Sequence, residues 1–400
     1  MYKKSDKKKI NSKRKLQALL QFIRQLKQLL NSKQKKQMKL LFHQRAALIL
    51  FAIFLSFASL KCQTLTIPLK LKDQNLIIQT TYGSKHCKIE AAAVFTKCST
   101  VISIEQMDEQ NQSENCGSFQ TGSTALGIPI FISLFYMSNV QSYIHFQVPD
   151  KKQYLDFGKK ELCFGYNSFD FANSVIRDLY DFGQIDQPVT FLTLNKVLQN
   201  QNTDEIIGQI DIGQPNMLSI RDGEQLAILK SVINKNFYFA VASNQKIQFL
   251  GSPVKLSTEN VSFKFNSPYY AISSETYFYI VKQLKENKID YLIEKRQIRN
   301  KEVQDSQMIS VSDITKLSDI QVELIKEEDN TTFTVIIKPS QYTRKLDVNK
   351  YELLFDTYLG VIDFSLGNTI FETYYIGFNQ ANGKVLIAER SIQNIHQQHV

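Results

Sequence analysis

Beyond residue 64 the chain is dominated by short runs in which Val, Ile, Leu, Phe, Tyr and Thr alternate with polar residues: 65–71, 76–80, 142–148, 189–194, 237–242, 247–250, 332–338 and 373–377. A period of two over about 4–8 residues marks a strand with one buried face. Helical spacing is confined to 171–182, 275–287 and 368–374. Many short strands with few helices predict an all-β chain. At about 150 residues per core there is room for two. The hydrophobic pattern loosens across 216–232, so the expected division is a β half over 64–220 and a second over 221–395.

The first sixty residues read differently. Residues 46–60, AALILFAIFLSFASL, form an apolar run behind Lys39 and Arg45. Such a run has the length of a signal-peptide core and falls short of the roughly 20 residues of a spanning helix. Residues 38–60 are therefore read as a signal peptide, with Ser56-Phe57-Ala58 at the cleavage site and an uncleaved anchor as the alternative. Upstream, Leu16, Leu19, Leu20, Ile23, Leu26 and Leu30 recur at helical spacing among basic residues of a 1–37 extension. That pattern suits a basic helix on a membrane surface; a start codon at Met38 is the other reading.

Charge follows the same division. Fifteen Lys and Arg against one acid give residues 1–45 a net of +14, so the chain's +10 leaves 10 − 14 = −4 for the rest. The body is not basic, and a nucleic-acid partner is excluded on that ground. No Cys or His set has zinc spacing. Neither a metal nor a cofactor is expected. Sequons at Asn111, Asn260 and Asn330 suit the secretory route. Asp-Phe-Gly occurs at 156–158 and 181–183, but the other elements of a kinase are missing.

Several segments share an order that resembles the pepsin-like aspartic peptidase family. QNLIIQTTYGS (74–84) and VSFKFNSPYYAIS (261–273) resemble the two strand-and-turn units that carry the catalytic aspartates. GYNSFDFANSVIRDLYDFGQIDQPVTFLTL (165–194), IIGQIDIGQPN (206–216), NFYFAVASNQKIQFLGSPV (236–254), TFTVIIKPSQYTRK (332–345) and FSLGNTIFETYYIGFNQANGKVLIAE (364–389) are similar to further family segments. The resemblance implies a two-lobed pepsin-like fold, all-β with a few short helices, and a substrate cleft between the lobes.

It also implies where the acids should stand, and they are missing. The gapless match puts Thr81, Tyr82, Gly83 and Ser84 on the first turn, and Lys264, Phe265, Asn266 and Ser267 on the second. Sliding the second by two places sets Asn266 at the acid position. Asn368 replaces the acid of the family's Leu-Gly-Asp. The flap matches best at FQTGST, with Phe119 for the family tyrosine and Gly122 and Ser123 at the hairpin tip. Cys87 and Cys98 flank a short loop after the first turn, where the family often closes a disulfide; Cys116 with Cys163 is the second expected pair, and Cys62 is left over. An aspartic peptidase needs two carboxylates sharing one proton, one activating water and one polarising the carbonyl. A threonine hydroxyl and a lysine ammonium supply neither role. The expectation is a monomeric pseudopeptidase, secreted or vacuolar, binding a peptide or protein in the cleft. An active aspartic endopeptidase with misplaced acids (Asp73 being the nearby candidate) and a secreted structural or inhibitor protein remain the alternatives.

Overall fold

A computed structural model describes residues 20–21, 23–25, 64–72, 75–83, 86–95, 100, 120–123, 129–138, 140–147, 160–165, 174–195, 203–234, 239–254, 260–265, 267–298, 301–357 and 364–391. The chain forms two units, 1–61 and 62–400. In the first, residues 20–21 and 23–25 are helical and exposed. Among the described residues no helix is long and apolar enough to cross a membrane.

The second unit is built from strands. In chain order they are β1 (Leu65–Lys72), β2 (Asn75–Tyr82), β3 (Cys87–Val94), β4 (Gln120–Ser123), β5 (Pro129–Met137), β6 (Val140–Gln147), β7 (Glu161–Cys163), β8 (Val189–Leu194), β9 (Thr203–Ile212), β10 (Ala227–Leu229), β11 (Ser231–Asn234), β12 (Phe239–Phe249) and β13 (Ser252–Pro253). There follow β14 (Asn260–Phe263), β15 (Tyr270–Ile272), β16 (Tyr291–Ile298), β17 (Lys301–Val311), β18 (Ile320–Ile325), β19 (Thr332–Ile337), β20 (Thr343–Asp347), β21 (Lys350–Leu353), β22 (Phe355–Thr357), β23 (Phe364–Leu366), β24 (Tyr374–Asn379) and β25 (Val385–Glu389). The helices are α1 (Val175–Asp181), α2 (Ser274–Glu286) and the single turn α3 (Pro339–Tyr342). The segment expected as a helix at 368–374 is a 3-10 turn over Asn368–Glu372, and the two expected strands at 237–242 and 247–250 are one, β12.

Periodicity explains most of these elements. In β1, Leu65, Ile67, Leu69 and Leu71 point into the core while the residues between them do not. Ser174 caps α1, its hydroxyl accepting the Arg177 N–H, and Ser273 caps α2 by accepting from Thr276 N–H. Helix α2 buries Tyr277, Ile280 and Leu284 along one stripe.

Among the described residues the strands make three sheets. The largest runs β10-β25-β24-β8-β9-β1-β2-β3-β7, with β4, β5 and β6 attached through β2. It joins the middle of the chain to its C-terminal part, because β24 pairs with β8. Every residue of β8 is buried. One face of this central strand, with Leu192 and Leu194, meets the main core. The other, with Val189 and Phe191, meets Tyr375, Ile220 and Ala388, the Phe191 and Tyr375 rings lying parallel with centroids 4.7 Å apart. Arg390 makes the same tie again: its buried guanidinium donates to Leu194 O and to Asn195 Oδ1, and burial pulls its pKa down to about 10. The second sheet runs β19-β18-β12-β14-β23-β15-β22, with β11 and β13 paired to β12; the third runs β16-β17-β21-β20.

Candidate functional site

The second expected turn is held by a clamp of three strands. β14 runs parallel to β23, with Val261 opposite Phe364 and Phe263 opposite Leu366. After the turn the chain returns as β15, antiparallel on the other edge of β23. The turn's backbone is fixed where it passes Leu366–Asn368. Lys264 N–H donates to Leu366 O at 2.7 Å, and Asn368 N–H donates to Ser267 O at 2.8 Å. The Asn368 amide Nδ2 donates to Phe265 O at 3.1 Å, a bond that an ionised carboxylate could not make. Gly367 is required by the closeness of this packing, since a Cβ there would lie 2.4 Å from Pro268 O. Buried hydroxyls stitch the strands together, Ser262 to Ser365 and Tyr270 to Thr369. Just past the turn, the Tyr269 hydroxyl accepts from Arg344, which is paired in turn with the buried Glu352.

The first expected turn is built otherwise. β2 and β3 pair directly as a hairpin, Thr81 opposite Lys88 and Tyr82 opposite Cys87. Gly83 takes the left-handed conformation, φ 74°, which glycine adopts without strain. Thr81 is half-buried and faces Tyr136 of β5 on its other side. No strand is inserted between the two arms of this hairpin, as β23 is between β14 and β15. The segment after Gly83, expected as a short loop between Cys87 and Cys98, is in fact β3 from Cys87 to Val94.

Phenylalanines from distant parts of the chain form one cluster. Phe95, directly after β3, stacks on Phe265 with ring centroids 4.9 Å apart and 17° between the planes. Phe265 also touches Phe371 at 5.3 Å and Phe378 at 4.6 Å, while Phe95 touches Phe164 at 5.9 Å. All five rings are buried.

No family model matches the chain, and no curated protein matches it in sequence. Among solved structures it is similar to the crystal structure of aspartic proteinase from Irpex lacteus, at a TM-score of 0.60 and 13% identity, over 83% of this chain and 99% of that one. The fold is pepsin-like. At such identity the likeness is one of architecture: the strand pattern predicted the all-β class, and the resemblance of the ordered segments implied the pepsin-like fold.

The described residues hold only part of the expected site. Lys264 is half-buried at the start of the second turn, and Ser267 is within it, its hydroxyl accepting the Tyr269 N–H. Ser84, Phe119, Asn266, Cys98, Cys116 and Asn111 lie outside the described residues. Gly122 and Ser123 are not at a hairpin tip: they are paired strand residues, opposite Ile130 and Pro129. Asn330 is exposed in a turn, whereas Asn260 is half-buried in β14 opposite Ser243. Cys87 and Cys163 are both buried and each is in a disulfide. Cys98, expected to pair with Cys87, and Cys116, expected to pair with Cys163, both lie outside the described residues, as does Cys62.

Two charged clusters escaped the sequence reading. The wholly buried Asp178 carboxylate on α1 accepts from the His145 N–H at 2.8 Å and from His145 Nδ1 at 2.7 Å. Asp211 on β9 is buried beneath Tyr375 and accepts from the hydroxyls of Thr66 and Tyr375 and the Gln209 amide. Burial lifts its pKa above the ordinary carboxyl value despite these donors. Among the described residues no group of His, Cys, Asp and Glu has the arrangement of a metal site.

Proposed function

We propose that this chain is a pepsin-like protein of the secretory pathway, secreted or vacuolar, without peptidase activity. It acts as a monomer and binds an extended peptide or protein segment in the cleft between its lobes. One observation carries the reading: the turn clamped by β23 presents Lys264, Phe265 and Ser267, and none of these bears a carboxyl group. General acid–base assistance is worth about 10²–10⁴-fold per group, and the proton-sharing pair at the heart of the family's chemistry has no second partner here. A retained cleft still offers backbone groups to a strand-like ligand.

The apolar run at 46–60 and the disulfides of Cys87 and Cys163 support an oxidising compartment. Cys98 is the proposed partner of Cys87 and Cys116 that of Cys163, which leaves Cys62 over. Asn330 is the sequon best placed for a glycan, being exposed in a turn, while a glycan on Asn260 would have to leave a paired central strand.

The test is an assay of the purified mature chain on denatured protein between pH 3 and 6, with and without pepstatin, alongside a binding screen with extended peptides. Binding without cleavage is expected. Cleavage abolished by pepstatin would overturn the reading; peptides that fail to bind would move the function to the outer surface.

A further inference from the structure

Among the described residues between 64 and 216, the exposed large hydrophobic side chains are Tyr143, Tyr180 and Phe182. Their elements meet. Tyr143 and His145 stand two positions apart on β6 and so share one face of that strand. Phe182, directly after α1, packs against both. Its ring centroid is 5.9 Å from that of Tyr143, and it lies within 11° of parallel to the His145 ring at 6.1 Å. Even so, 43% of Phe182 stays exposed. The next residue, Gly183, has φ 66°, and a Cβ there would meet nothing within 4 Å, so the approach beside Phe182 is open. Tyr180 is two residues back, in the last turn of α1. Exposed aromatic clusters of this kind mark contact surfaces. Charge narrows what they contact. Along β6 and residues 174–188 the carboxyl groups of Asp178, Asp181 and Asp186 stand against one fixed cation, Arg177. Asp178 is engaged by His145, and the sum of charges stays negative even with His145 protonated.

We propose that the surface formed by Tyr143 and Phe182 binds an arginine side chain from a basic segment of a partner protein. The faces of aromatic rings are negative and attract cations, guanidinium most often. Nearby carboxylates add the opposite charge that steers such a segment in. The same surface already holds one guanidinium in this way. Arg177 lies over the Tyr180 ring at 5.9 Å from its centroid, and its Nε donates to Asp181 Oδ2 at 2.9 Å. Arginine suits the rings better than lysine does, because its planar, weakly hydrated group stacks on them. An acidic segment would meet the excess of carboxylates and be repelled. None of these residues belongs to either expected turn, so the proposal stands apart from the reading of the cleft.

The experiment titrates the purified mature protein, labelled for amide NMR, with acetyl-Gly-Arg-Gly-Arg-Gly-amide at low ionic strength. The control is the same peptide with citrulline for arginine, which keeps the shape and removes the charge. The arginine peptide is expected to shift the amides of Tyr143, His145 and Phe182. The citrulline peptide should bind about 3- to 30-fold more weakly, the size of one or two cation–ring contacts. Phe182→Leu keeps an apolar side chain at an exposed position and should bring that ratio close to one; Tyr143→Leu is the second variant should Phe182→Leu not fold. Asp181→Asn/Asp186→Asn should weaken the arginine peptide, and added salt should do the same to the parent. A ratio below threefold in the parent, shifts confined to other amides, or a parent-like ratio in the leucine variant overturns the proposal. Maltotriose is titrated alongside, and tighter binding of that neutral sugar at the same amides would give the rings another occupant and overturn it as well.

Discussion

The pairing of His145 with Asp178 gives the sharpest quantitative test of how the first lobe is held together. Replacing His145 with Ala leaves its backbone N–H on Asp178 and removes the ring that donates at 2.7 Å. It also removes the face of the ring that lies parallel to Phe182 at 6.1 Å. A hydrogen bond between charged groups contributes about 1.5–3 kcal/mol, and a neutral one about 1 kcal/mol. The carboxylate is fully buried and the imidazole three-quarters so, with side-chain exposures of 0% and 24%. Solvent screening therefore weakens the pair less than at an open surface. The pKa of His145 is raised above 6.5, chiefly because Asp178 accepts from the ring, with further support from the charges of Asp178 and Asp181; burial opposes them. A raised folded-state pKa contributes stability that is full below the unfolded value and fades as pH rises through the folded one. The expected loss on His145→Ala is about 2–3 kcal/mol at pH 5.5 and smaller at pH 8.5, where the neutral ring still donates to the carboxylate. Urea unfolding of parent and variant at the two pH values measures both. An equal loss at each pH, or a larger one at 8.5, would show that the pair does not gain from imidazole charge.

Three other outcomes follow from the packing. Asp211→Asn removes a carboxyl whose pKa is raised by burial; its contribution is full below the unfolded value near 4 and fades as pH rises through the folded one. The variant should lose that share of the parent's fall in stability between pH 4 and neutrality, and a slope equal to the parent's, in the same unfolding series, would refute it. Gly367→Ala forces a Cβ against Pro268 O and should cost about 1–3 kcal/mol, read as a lower urea midpoint; an unchanged midpoint would mean that the turn over β23 is looser than described. Peptide mapping under non-reducing conditions should find Cys87 joined to Cys98 and Cys163 to Cys116, and a peptide joining Cys62 to Cys87 or Cys163 would refute that pairing.

Much of the architecture was written in the chain's alternation. β1, β8 and β19 sit within a residue or so of their expected runs, because each has residues whose burial follows a fixed pattern across the sheet. β3 was missed for a specific reason. Its run CKIEAAAV buries Cys87, Ile89, Ala91 and Ala93, but three of its eight residues are alanine, which is depleted in strands and favoured in helices. His145–Asp178 and Asp211 were hidden for another reason: each depends on residues tens of positions apart, and no local spacing announces such a pair.

By itself the sequence determined the all-β class, the ordered segments of a two-lobed frame and the loss of the acidic turn motifs, since strand periodicity and short motifs are local properties. Only the tertiary structure decided which strands run side by side: β3 lies parallel to β7 and β14 to β23, partners separated by long stretches of chain. The same packing brings Phe95 onto Phe265, a contact that no local pattern announces because its two residues come from distant parts of the chain.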